Sequence, residues 1–252
     1  MSYSSDESII DNRLSDASES SNSSYTSVST LDASNASMDS QSTTQNIRVV
    51  ARIRPLSSKE TRENSKEILK PDIFGNSIQV NKNKSFILDK IFEPSATQSE
   101  VYEQTAGDLI QNHLFKGFNV TVLAYGQTGS GKTHTIFGAN GNKFASKLNE
   151  KDDGIIPRAV HELFNRIKND PSDRKFEVEM SFIEIYNEEI KDLLSNDSNG
   201  ADLSIRESAD GVIVRNLSRH SVVSPQEVAA LMVSASEKRS VASTLMNEVS
   251  SR

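Results

Sequence analysis

Apolar and polar residues alternate in blocks along this chain, and the period of alternation changes from block to block. In "NIRVVARIRP" (Asn46–Pro55), Ile47, Val49, Ala51 and Ile53 alternate with Arg48, Arg52 and Arg54, which predicts a half-buried strand ended by Pro55. "SIQVNKNKSFILDKIF" (Ser77–Phe92) reads as two short strands around an Asn/Lys turn. The period then lengthens. Val101, Ala106, Leu109, Ile110 and Leu114 fall at helical spacing after Thr97 or Ser99 as N-cap, and Gly117 sits where the helix would end. "NVTVLAY" (Asn119–Tyr125) is apolar without alternation, the pattern of a strand buried on both faces. A polar, Gly/Asn-rich loop (Ala139–Gly154) follows, then a helix opened near Pro157 with Ala159, Leu163, Phe164 and Ile167 on one face. "FEVEMSFIEIYN" (Phe176–Asn187) alternates as one strand. Ser224, Pro225 and Glu227 form a capping box before a long helix. Strands interleaved with helices predict an α/β layered sheet with helices on both faces.

Composition divides the chain. Residues 1–45 hold 16 serines, four threonines, seven acidic residues and one basic residue, too little apolar surface to offset the entropy of ordering them. They are read as a disordered acidic tail, and residues 46–252 as the folded domain. With 28 acidic and 27 basic residues the domain is nearly neutral, so the acidic pI describes the tail and says nothing of an anionic partner. The chain has no cysteine, which removes disulfides and thiolate metal sites and fits a cytoplasmic address. The start, "MSYSSDESII", is unlike a signal peptide, and the longest apolar stretches are strand-length, so no membrane insertion is expected.

The strongest chemical signal is "GQTGSGKT": Gly126, Gln127, Thr128, Gly129, Ser130, Gly131, Lys132 and Thr133 fit G-x-x-x-x-G-K-[ST] throughout. Glycines let the backbone curl so that successive N–H groups point at phosphate oxygens, and the following helix adds its positive end. Lys132 supplies charge for the β- and γ-phosphates, and the Thr133 hydroxyl is a candidate Mg²⁺ ligand. An apolar stretch runs directly into the loop, as the motif requires. A site for a nucleoside triphosphate follows. No N-K-x-D-like guanine reader accompanies it, which counts against a small GTPase.

Four separated stretches narrow the reading. "GFNVTVLAYGQTGSGKTHTIFG", "GIIPRAVHELF", "SFIEIYNEEIKDLL" and "NEVSSR" resemble, in order and spacing, the kinesin motor domain over about Asn46 to Arg252. The resemblance implies a P-loop NTPase fold, ATP and Mg²⁺ as cofactors, and microtubules as partner of the full-length protein, in the cytoplasm and its cytoskeleton; no nucleic acid is implied. By the same resemblance Arg52, Arg54 and Pro55 line the adenine pocket and His134 packs on the opposite face of the base. "NEVSSR" matches the first nucleotide switch. There Asn247 orders the loop, Ser250 positions the attacking water, Ser251 approaches the γ-phosphate and Mg²⁺, and Arg252 pairs with a glutamate of the second switch. Positioning and charge stabilisation supply most of phosphoryl-transfer catalysis, so such a set makes chemical sense. The D-x-x-G second switch and most of the filament-binding face would follow Arg252, so the resemblance implies a motor domain incomplete at its C-terminal side. Two functions follow as expectations: an ATP-dependent microtubule motor, or an ATP-binding module that neither hydrolyses nor walks.

Overall fold

The computed structural model describes residues 47–81, 84–139, 141, 151–196, 203–208 and 211–243. The acidic tail read over residues 1–45 lies outside them.

Strand β1 (Val50–Arg52) pairs in parallel with a later strand, Lys90–Phe92 (β5 below), with Ala51 opposite Ile91. Alternation predicts the strand but overstates its reach: Ala51 and Ile53 are half-buried, whereas Ile47 and Val49 stay exposed because pairing begins only at Val50. Helix α1 (Ser58–Arg62), which the apolar pattern does not signal, buries no residue and opens on a cap. The Ser57 hydroxyl accepts from Glu60 N–H, and the Glu60 carboxylate accepts from Ser57 N–H at 2.6 Å. Strands β2 (Leu69–Asp72), β3 (Ser77–Val80) and β4 (Lys84–Ile87) form an antiparallel meander, and β5 (Lys90–Phe92) returns to β1. The two strands expected around the Asn/Lys turn are β3 and β4.

Thr97 is the cap of α2 (Gln98–Tyr102), again by a reciprocal box with Glu100. The single helix expected here is interrupted. A π-helical turn (Glu103–Gly107) leads into α3 (Asp108–Asn112), and a 3₁₀ turn (Leu114–Lys116) ends at Gly117. The apolar spacing still holds, since Val101, Ala106 and Ile110 are buried with Tyr102. Helix α4 (Lys132–Ile136) follows the Gly-rich loop, and α5 (Ile155–Lys168) crosses behind it. The predicted Phe176–Asn187 strand is two short pieces, β6 (Glu179–Met180) and β7 (Ile183–Tyr186). Between them Ser181 turns its hydroxyl to the Ser218 carbonyl at 2.7 Å. Strand β8 (Glu189–Asp192) closes a tight hairpin with β7 through Asn187 and Glu188, both at positive φ. Strands β9 (Ser204–Ser208) and β10 (Gly211–Arg215) form an exposed ribbon, β11 (His220–Ser221) pairs with β6, and α6 (Pro225–Ser243) follows. At the start of α6 the Ser224 hydroxyl accepts from Glu227 N–H, while the Glu227 carboxylate takes Val223 N–H rather than the cap's own.

Helix α5 organises the core. Ile155 packs with Tyr102, Ala106 and Ile110, and Ala159 lies against them. Ile156, Val160 and Phe164 lie against Val222, Val228, Ala229 and Met232, so α5 joins the α2–α3 segment to α6. A third cluster seats Leu193, Leu194 and Ala235 together. The corrected element is Asn119–Tyr125. No strand among the described residues pairs with it, and Leu123 and Tyr125 are 86% and 96% exposed. A run buried on both faces requires strands on both edges and cover on both sides. The described residues bring none to it.

Candidate functional site

The Gly-rich loop bends as its glycine spacing predicts, with Gly129 and Gly131 in the left-handed region at φ +79° and +98°. Gly131 is the N-cap of α4, and Ser130 N–H donates back to the Gln127 carbonyl at 3.2 Å. A Cβ on Gly126 would stand 2.6 Å from Ser130 Oγ, so the Ser130 hydroxyl would have to turn aside for a side chain there. Gln127, Thr128 and Gly129 are exposed. Lys132 Nζ donates to the Gly126 carbonyl at 2.6 Å and the Gln127 carbonyl at 2.8 Å, which holds the ammonium inside the loop that carries it. Thr133 is the second residue of α4, and its carbonyl accepts from Phe137 N–H. A cation at the centre of an exposed glycine loop suits an anionic ligand with several acceptor oxygens.

The arginines of β1 and its extension flank this loop and differ in setting. Arg52 is half-buried. Its Nη1 donates to Gln98 Oε1 at 2.8 Å and Thr135 Oγ1 at 3.2 Å, and its Nη2 donates to the Ala96 carbonyl at 3.3 Å. Burial lowers its pKa from the usual guanidinium value, without discharging it near neutral pH. Arg54 instead forms a two-pronged ion pair with Glu60 at 2.9 and 2.6 Å and donates to the Pro55 carbonyl at 2.9 Å. Its aliphatic stem runs past Gly131, within van der Waals reach of a Cβ placed there. His134 approaches the Arg52 group through Gln98, whose amide nitrogen donates to the His134 carbonyl at 2.8 Å and lies 3.4 Å from its Nδ1. Partial burial, then the Arg52 charge, lowers the His134 pKa and favours the neutral ring.

Helix α4 is fastened to α5 by two glycines in close contact. A Cβ on Gly138 would lie 2.1 Å from the Asp152 carbonyl oxygen, and one on Gly154 would lie 2.6 Å from the Thr135 carbonyl oxygen. Ala139 N–H donates to Asp152 and Gly154 N–H to Phe137, which closes the two segments on each other. Buried Arg158 completes the corner, donating to the Asp153 carbonyl at 2.9 Å and to Ser99 Oγ at 3.3 Å.

The structure therefore brings Arg52, Arg54, Pro55, His134 and the phosphate-loop residues to one region. Gln98 and Thr135, which sequence reasoning passed over, sit among them. Asn247, Ser250, Ser251 and Arg252 lie outside the described residues. Among the described residues no group of three or more His, Asp or Glu residues could hold a metal ion, and no helix is long and apolar enough to cross a membrane.

A family model for the kinesin motor domain matches residues 52–252. Chromosome-associated kinesin KIF4 of Mus musculus is 40% identical over 208 residues, covering 82% of this chain and 16% of that protein. Kinesin-like protein KIN-5C of Nicotiana tabacum is 34% identical over 225 residues, covering 82% and 22%. The chain thus spans about a sixth to a fifth of the length of these curated relatives. Among solved structures, a fast kinesin described for its ATPase mechanism and interactions with microtubules superposes with a TM-score of 0.70 at 33% identity. The match covers 80% of this chain and 55% of that one.

Proposed function

The chain belongs to the kinesin family, with its α/β P-loop NTPase fold, and from that premise we propose that residues 46–252 form the ATP-binding part of a microtubule motor domain. The observation that carries the proposal is the curled loop Gly126–Thr133, with its ammonium held inside the curve. The residues fit MgATP. Lys132 and the loop backbone would hold the phosphates, and the Thr133 hydroxyl would ligate Mg²⁺, joined by Ser251. Arg52, Arg54, Pro55 and His134 would flank the base. Bound Mg²⁺ would supply charge neutralisation at the phosphate oxygens. Asn247, Ser250 and Arg252 would act as the first switch, ordering the loop, placing water and pairing with an acidic partner. The partner of the whole protein would be the microtubule, in the cytoplasmic cytoskeleton.

The test is equilibrium binding of ATP and GTP to the 252-residue chain and to Lys132→Ala. Loss of an ammonium that serves charged oxygens should weaken ATP binding by about a hundredfold. Equal affinity of the two chains for ATP would show that the triphosphate does not sit on this loop. The exposure of Asn119–Tyr125 favours a second reading, nucleotide binding without turnover by this chain. ATPase activity of the purified chain, stimulated by microtubules, would decide for the motor.

A further inference from the structure

Gln98 is 5% exposed, lies 46 residues from Arg52 and 36 from His134, and is bonded to both. Its amide orientation is fixed by its neighbours. A guanidinium only donates and a carbonyl only accepts, so Oε1 faces Arg52 and the NH₂ faces the His134 carbonyl. The same amide nitrogen also lies 3.4 Å from His134 Nδ1.

We propose that Gln98 is a positioning residue for the base side of the nucleotide site: its single amide holds Arg52 on one end and fixes the placement of His134 on the other. The inference rests on the nucleotide reading above and adds a residue to it. Arg52 reaches the site with neutral acceptors around it, namely Gln98 Oε1, Thr135 Oγ1 and the Ala96 carbonyl. The guanidinium keeps its full charge there, undiminished by a carboxylate among those contacts. A glutamate at 98 would pair with Arg52 but present its second oxygen to the His134 carbonyl oxygen. Only a side chain that accepts on one end and donates on the other satisfies both neighbours. Gln98 also begins α2, so its bond to the His134 carbonyl ties that helix to α4.

The experiment compares two probes on the full chain: ATP, and inorganic tripolyphosphate, which carries the phosphates without the base. In the parent chain ATP should bind more tightly, and the ratio of the two dissociation constants measures what the base side contributes. Gln98→Leu should cut that ratio about tenfold, the size of one lost hydrogen bond to a charged group, while tripolyphosphate binding changes less than about twofold. An equal loss for both probes, or no loss for either, overturns the proposal. Should Gln98→Leu fail to bind tripolyphosphate, Gln98→Glu, which keeps the Arg52 acceptor, is read by the same ratio; loss of tripolyphosphate binding in both variants also overturns it. A parent chain that binds both probes equally defeats this inference alone. A parent that binds neither defeats the nucleotide reading, and this inference with it.

Discussion

Helix α5 packs against α4, which follows the phosphate loop, the run Asn119–Tyr125 leads into that loop, and their surroundings are opposite. The helix packs Ile155 and Ala159 toward one cluster and Ile156, Val160 and Phe164 toward another, and Asp152 and its N-cap Gly154 lie close against Gly138. The run is exposed along most of its length, with Val120 and Ala124 half-buried. The difference lies in what each element needs from elsewhere. A helix satisfies its own backbone and requires packing only along its apolar stripes. A central strand must receive hydrogen bonds on two edges and side chains on two faces, all from distant sequence. The packed side can therefore hold α4 and the loop in place without help from the run that leads into them.

If that is how the loop is held, the largest loss should come from the glycine contact. Gly138→Ala places a side chain at positive φ and against backbone atoms, which cannot withdraw as a side chain could. Roughly 4 kcal/mol of destabilisation is expected from strain and overlap together, read from the urea midpoint. A shift under about 1 kcal/mol would mean that α4 is not fastened there. The next test sets the two regions side by side. Met232 is 3% exposed in the α5–α6 cluster, and Met232→Ala should cost about 3 kcal/mol. Leu123, although larger in exposed area, should tolerate Leu123→Ser within about 0.5 kcal/mol. A large cost at Leu123 would reveal packing on this run and erase the contrast.

Legibility followed the same division. Elements defined by local periodicity and caps were readable: α5, Thr97 as one of two candidate caps and the Ser224 start of α6 all lie where the pattern puts them. The phosphate loop was readable for the same reason, since its curvature is written in glycine spacing. Features that depend on partners were not. The π-helical turn at Glu103–Gly107 leaves the apolar period intact, so periodicity cannot register it. The β7–β8 hairpin puts Glu188 at φ +66°, a conformation its residue type does not advertise. Gln98 reads as an ordinary residue of a capped first turn, and only the meeting of three distant segments gives it a task.

The smallest effect separates the two arginines at the site. Arg52 is held by groups that do not titrate, whereas Arg54 is held by Glu60. The bond from Arg54, followed by those from Ser57, lowers the Glu60 pKa from 4.5 to about 2. A depressed folded pKa means that the carboxylate stabilises the fold above the unfolded value and stops doing so as pH falls toward the folded one. The contribution should be complete above pH 4.5 and fade as pH falls to about 2. Because this pair lies beside solvent, the effect is small and screened by salt. Glu60→Gln should therefore sit slightly below the parent in thermal midpoint near neutral pH and converge with it on acidification. Curves that stay parallel through that window would show that the pair adds nothing. The Arg54 stem would then keep its place beside Gly131 by packing alone, as Arg52 keeps its own by bonds to uncharged acceptors.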